Sequence, residues 1–124
     1  MKVLLINGSP HEKGCTYTAL SLIAKELNAG GIDTEILHVG GQPVGGCIGC
    51  GGCRKGEGCV FGGVVNEAIE KAKTADGFVF GSPVHYASAT GNMTAFMDRL
   101  AYAGGRYLAY KPAAICCSAR RAGT

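Results

Sequence analysis

Val3-Leu4-Leu5-Ile6-Asn7-Gly8-Ser9-Pro10-His11-Glu12-Lys13-Gly14-Cys15-Thr16-Tyr17-Thr18 is the stretch that decides the class of this chain. Four consecutive apolar residues bounded by a turn cluster read as a strand buried on both faces, the kind found in parallel sheets. From Thr16 the period lengthens. Leu20, Ile23 and Leu27 recur at helical spacing, and Gly30-Gly31 stops the helix. A buried strand running through a polar turn into a helix is the first half of a β-α-β unit.

The same alternation continues along the chain. Thr34 to Val39 mixes Glu35 and His38 with Ile36, Leu37 and Val39, which suits an edge strand with His38 simply exposed. Val65, Ala68, Ile69 and Ala72 mark a second amphipathic helix. Phe78-Val79-Phe80 is a third buried strand, ended by Gly81-Ser82-Pro83. Met93, Phe96, Met97 and Leu100 form the stripe of a third helix. Ala113 to Cys117 is a fourth strand, introduced by Pro112, in which Cys116 and Cys117 read as buried packing residues. Strands alternating with helices predict an α/β fold with a parallel sheet and right-handed crossovers, and the expected form is a doubly wound sheet of order 2-1-3-4. Gly8-Ser9-Pro10 and Gly81-Ser82-Pro83 echo one another after the first and third strands. In that order these strands are neighbours, and the crevice beyond their carboxyl ends is the switch point where ligands bind.

Length and composition fit one domain. The chain has 124 residues, 47% apolar and 17% charged, with a net charge of +3. Basic residues form no run longer than Arg120-Arg121, which speaks against nucleic-acid binding. The apolar run at Val3–Ile6 is too short for a signal segment or a membrane span, so the expectation is a cytoplasmic protein with no membrane partner. Seven cysteines, an odd number in a reducing compartment, do not suggest a disulfide framework.

Four of those cysteines fall in Gly46-Cys-Ile-Gly-Cys-Gly-Gly-Cys-Arg-Lys-Gly-Glu-Gly-Cys59, within a glycine- and cysteine-rich loop at residues 40–62. Cys47, Cys50, Cys53 and Cys59 are spaced C-x2-C-x2-C-x5-C. The glycines between them let the backbone bend sharply enough to bring four thiolates together. A metal or redox centre is one meaning of this loop; zinc, which in structural sites usually takes two pairs separated by a longer span, is another. A loop of free thiols is the third.

Three segments border the expected crevice. Gly8 to Thr18 joins glycine and hydroxyls to a helix N-terminus, where backbone N–H groups and the helix dipole favour a phosphate. Ser9, Thr16 and Thr18 add hydroxyls and Lys13 adds charge, although the same turn also serves as a plain helix cap. No Walker A loop and no GxGxxG is present. The second segment, Ser82 to Asn92, is small and partly aromatic; it offers backbone amides to a planar ring or is an ordinary connection. The third, Ser118 to Thr124, completes the rim with Arg120 and Arg121 or frays as a terminus. Asp98-Arg99 reads as a surface or interface ion pair, and no Ser/His/Asp set or paired-carboxylate spacing is visible.

The phosphate-type loop, the cysteine cluster, Ser82-Pro83-Val84-His85-Tyr86 and Phe96-Met97-Asp98-Arg99, in this order, resemble the flavodoxin-like NAD(P)H-dependent FMN reductases, and within them the iron–sulfur flavoproteins. The resemblance covers the whole chain. It implies a flavodoxin-like fold, FMN as cofactor and NAD(P)H as reductant. It implies that Ser9, Lys13, Cys15, Thr16 and Tyr17 lie on the FMN-phosphate loop. Pro83, Val84, His85, Tyr86 and Ser88 would lie against the isoalloxazine, and Ser118 and Arg120 on the third loop. It further implies that Cys47, Cys50, Cys53 and Cys59 ligate a [4Fe-4S] cluster. The sequence departs from the family in having Cys15 where Asn is usual and His85 where Tyr is common. It also lacks the family's fifth strand and last helix, so residues 1–124 read as a C-terminally truncated FMN-binding domain. The implied activity is an FMN-dependent oxidoreductase in a homo-oligomer, with few side chains acting as acids or bases because the cofactor carries the chemistry. An electron-transfer protein exchanging single electrons with a redox partner protein is the alternative. A cofactor-free or zinc-stabilised fragment is the third.

Overall fold

The computed structural model describes residues 1–56 and 58–121. Its elements follow in the order β1 (Lys2–Asn7), α1 (Cys15–Ala29), β2 (Asp33–His38), a single 3-10 turn at Gly52–Arg54, α2 (Val64–Thr74), β3 (Gly77–Pro83), α3 (Gly91–Leu108) and β4 (Ala113–Ser118). The four strands form one parallel sheet, ordered β2-β1-β3-β4. This is the doubly wound, flavodoxin-like arrangement expected from the alternation of buried strands and amphipathic helices.

The sheet is covered unequally. On one face α2 and α3 bury Val65, Ile69, Phe96 and Leu100 against Leu4, Ile6 and Phe78. Phe96 and Ile69 are fully buried, and each such side chain contributes roughly 1.5–3 kcal/mol by leaving water. On the other face α1 supplies a smaller cluster, Leu20 and Ala24 on Leu5 and Val79. β4 lies at the edge of the sheet and is largely exposed, with Ile115 87% accessible. This corrects the expected burial of both of its cysteines. Cys116 packs partly against the α1 cluster, and that burial pushes its thiol pKa up; Cys117 is exposed. Period-2 alternation along an edge strand separates two neighbouring residues that an apolar run had suggested were alike.

β3 also runs further than Phe80. Gly81, Ser82 and Pro83 pair in register with Cys116, Cys117 and Ser118. The expected turn is therefore strand, because β4 pairs with all three residues and β1 with Gly81, whereas Gly8-Ser9-Pro10 does leave the sheet. His38, expected to be free at the edge, is anchored: its Nε2 lies 2.8 Å from the Ser9 carbonyl oxygen.

Candidate functional site

The carboxyl ends of β1, β3 and β4 are laced into one rim. The Gly8 N–H donates to the Gly81 carbonyl at 2.8 Å, joining the two echoed triplets. Thr90 Oγ1 donates to the Gly8 carbonyl at 2.8 Å and accepts from the Met93 N–H at 3.1 Å, so it caps α3 and ties two loops together. The Thr90 N–H in turn donates to Ser82 Oγ. The Val84 N–H donates to the Ser118 carbonyl at 2.9 Å, and Thr16 Oγ1 and Ser118 Oγ share a hydrogen bond of 2.9 Å. The three segments singled out in the sequence therefore meet. A cavity of about 270 Å³ between the first two is bordered by Gly8, Pro10, Gly40, His85, Thr90 and Asn92.

The first loop is organised from below by Asn7, which is fully buried. Its Oδ1 accepts from the Ser9 N–H and its Nδ2 donates to the Glu12 carbonyl. Ser9 and Thr16 are themselves buried and bonded within the protein, Ser9 Oγ accepting from the His11 N–H. They shape the loop, while Lys13 and Cys15 are exposed on it and Tyr17 is half-buried. Gly14 caps α1 without any side-chain bond, and the first turn carries no acidic residue. The leading N–H groups of α1 thus keep the electrostatic preference for an anion that an Asp or Ser cap would have used up. Gly40 closes the loop from the side: a Cβ there would sit 2.2 Å from the Ser9 carbonyl oxygen.

The second loop is a tight reversal. His85 and Ser88 form an antiparallel bridge, with the His85 N–H donating to the Ser88 carbonyl at 2.8 Å. Between them Tyr86 and Ala87 take φ values of 48° and 66°, left-handed conformations uncommon outside glycine. Tyr86 is fully exposed, as are His85 and Ser88 to a lesser degree, while Pro83 and Val84 are half-buried at the strand end. In the third loop Ser118 is half-buried and Arg120 and Arg121 are exposed; residues 122–124 lie outside the described residues.

The cysteine loop is built differently. Among its described residues it has no regular structure beyond one 3-10 turn, which holds Cys53. Gly49 and Gly51 adopt φ near 70°, a backbone that bends the loop between thiols. Cys47 and Cys50 are exposed; Cys53 and Cys59 are half-buried against the α2–α3 core. All four line one cavity of about 730 Å³, walled on the other side by Asp98, Arg99, Tyr102 and Ala103 of α3. Among the described residues, no three His, Cys, Asp or Glu side chains are grouped to grip a single ion.

α3 holds this loop with two side chains seven residues apart and hence on nearly one helix face. Asn92 Nδ2 donates to the carbonyls of Gly40 and Gln42, and its Oδ1 accepts from the Val44 N–H. Arg99, only 6% accessible, donates to Cys59 Sγ and to the carbonyls of Gly45 and Gly62. This overturns the expectation of an Asp98-Arg99 surface pair: Asp98 is exposed, but Arg99 is a buried brace for the loop. Asn66 of α2 adds a third hold, bonding both the N–H and the carbonyl of Cys59. Asn7, Asn66, Thr90 and Asn92 had no role in the sequence reading. Asn7, at a strand end before Gly8, and Thr90, as a helix N-cap, carry local signals; Asn66 reaches back seven residues to Cys59, and Asn92 acts on a segment distant in the chain.

The fold and the rim define a flavodoxin-like α/β domain with a crevice at the β1–β3 switch point. Residues 1–124 match the NADPH-dependent FMN reductase family, and the chain belongs to it. An iron–sulfur flavoprotein of Methanocaldococcus jannaschii is 37% identical over 103 residues, which cover 80% of this chain and 51% of that one. An iron–sulfur flavoprotein of Archaeoglobus fulgidus is 35% identical over 99 residues, 80% of this chain and 48% of the relative. The chain thus spans about half the length of these relatives. Among solved structures, the apo form of the NADH:FMN oxidoreductase EmoB superposes with a TM-score of 0.69, 24% identity and coverage of 98% of this chain and 59% of that one. The NAD(P)H:quinone oxidoreductase of Methanothermobacter marburgensis gives a TM-score of 0.70 at 17% identity, covering 96% and 66%. These two likenesses bear on the fold. Among the described residues, no helix is long and apolar enough to cross a membrane.

Proposed function

We propose that residues 1–124 form an FMN-binding domain of an NAD(P)H-dependent oxidoreductase, with a [4Fe-4S] cluster held by Cys47, Cys50, Cys53 and Cys59. The observation that carries the flavin reading is the uncapped N-terminus of α1 inside a rim where three loops converge. FMN supplies hydride and single-electron chemistry when bound. The residues of this chain bind and orient it. The α1 N–H groups, with Lys13 and the exposed side of Cys15 and Tyr17, hold the phosphate. Ser9, Thr16 and Ser118 keep that cradle rigid by bonding inward. Pro83, Val84 and the His85–Ser88 reversal offer a firm backbone surface to the ring. The left-handed pair Tyr86 and Ala87 costs of order 1–3 kcal/mol per residue, a strain characteristic of ligand-contact turns. Arg120 supplies positive charge for the ring edge or for the phosphate of the reductant.

The cluster reading rests on the donor set. Four soft thiols line one cavity, and a four-iron cube spaces its thiolates more widely than a single ion does, which suits it better than zinc. The kinship with iron–sulfur flavoproteins supports the same choice. Homo-oligomerisation and a redox partner protein are part of this proposal by family likeness alone.

The test is anaerobic preparation of the chain with FMN, iron and sulfide, followed by assay of each. The expected result is flavin released on denaturation, four irons per chain, and oxidation of NAD(P)H with a quinone or free flavin as acceptor. Cys50→Ala is expected to abolish iron binding and leave FMN bound. Protein that takes up no flavin overturns the first reading; one zinc and no iron overturns the second.

A further inference from the structure

Arg99 presents an electrostatic imbalance. It is 94% buried, and its three described bonds go to two neutral carbonyls and to Cys59 Sγ, the last at 3.2 Å from Nε. Its guanidinium also stands over the Phe61 ring, 5.4 Å from the centroid. Among the described residues no carboxylate lies within ion-pair distance of it. A buried cation without an anion costs several kcal/mol of desolvation, which two carbonyls and a ring face offset only in part. Among the described residues, the group it touches that would carry negative charge as a cluster ligand is the Cys59 sulfur.

We infer that Arg99 is the potential-setting residue of the cysteine site, a positioning residue whose fixed charge and N–H donation to Cys59 Sγ raise the reduction potential of the cluster bound there. This rests on the cluster reading above. Four thiolates outnumber the positive charge of the iron–sulfide core, so the loaded centre is an anion, and each electron it accepts makes it more negative. Reduction takes one electron onto the core, from flavin reduced by NAD(P)H, with no bond made or broken at the ligands. A buried cation stabilises the reduced form more than the oxidised one, and hydrogen bonds to ligating sulfur act in the same direction. Among the described residues two other charged side chains, Arg54 and Asp98, line the cavity, but both are exposed and solvent screens them. Arg99 is screened far less. By holding Gly45 and Gly62 as well as Cys59, it also fixes both ends of the loop against α3. Asn92 and Arg99 are about 10 Å apart along α3, so one rigid helix joins the rim of the crevice to the cluster cavity.

The test is a redox titration of the reconstituted protein followed by EPR, with iron, sulfide and flavin measured on each sample. Arg99→Gln is expected to shift the cluster midpoint to more negative potential, lowering the equilibrium reduced fraction at fixed ambient potential at least tenfold, while flavin content holds. Arg54→Gln is expected to move it far less. Arg99→Lys keeps the charge and loses the fork, so its potential is expected near that of wild type, with faster iron loss to a chelator. Should Arg99→Gln fail to load, Arg99→Lys decides: loading at a near-wild-type potential supports the inference, and a potential well below it overturns it. An Arg99→Gln protein with full iron and an unchanged midpoint also overturns it and leaves the cluster reading intact. Wild type with flavin but neither iron nor sulfide overturns both.

Discussion

The crevice and the cysteine loop are built on opposite principles. The crevice sits on strand ends, and its loops are joined by backbone and hydroxyl bonds that run from one loop to the next, through Gly8–Gly81, Thr90–Gly8 and Thr16–Ser118. The loop carries almost no regular structure and is suspended from helices by Asn66, Asn92 and Arg99. The first is built on the strand ends of the sheet itself. The second hangs on helix side chains, with Val44, Cys53 and Cys59 packed against the core.

The comparison can be broken most forcefully at Gly40, which touches the first loop at the point where the cysteine loop begins. Gly40→Ala forces a Cβ onto the Ser9 and Gly8 carbonyls, backbone that cannot swing aside. The expected cost is about 3 kcal/mol, seen in thermal unfolding, with loss of flavin retention. Thr90→Val comes next. It removes the cap of α3 and leaves the buried Gly8 carbonyl short of a donor. It is expected to cost about 2 kcal/mol and weaken FMN binding while iron loading persists. Asn66→Ala is the mirror experiment. It frees both backbone groups of Cys59, and about 1 kcal/mol of stability and a large part of the bound iron are expected to go, with flavin titration unchanged. If the third variant lost flavin, or the second lost iron, the two regions would be one unit.

The smallest effect belongs to a site apart from both. Glu35 of β2 bonds the ammonium groups of Lys2 and Lys71. Those hydrogen bonds, Lys2 first, hold its carboxyl below the ordinary glutamate pKa despite partial burial. A lowered pKa means stability that is present above the usual glutamate range and lost as the pH falls through the lowered value. Glu35→Gln is therefore expected to melt slightly below wild type at neutral pH and to converge with it in acid, with flavin and iron unaffected. Exposed pairs of this kind contribute little.

The fold was largely legible because each strand and helix announces itself within a few residues. Val3–Ile6 and Phe78–Phe80 are apolar runs of strand length, and Val65, Ala68, Ile69 and Ala72 can face a core only as a helix. The three rim segments were legible for the same reason: each follows a strand directly. What escaped were contacts between distant segments. His38 on Ser9, Thr90 on Gly8 and Asn92 on Gly40 join residues 29, 82 and 52 positions apart. Cys116 and Cys117 escaped because an edge strand and a central strand have the same local pattern and differ only in what covers them.

The amino-acid order alone determined the parallel α/β class, the strand-end position of the three rim segments and the four-cysteine spacing, because periodicity and turn chemistry are short-range properties. Only the tertiary structure decided that Arg99 is buried against Cys59 and not paired at the surface with Asp98. Burial of a charge depends on what the rest of the chain brings to it, here a glycine-rich loop and the face of α3, and no local pattern records that.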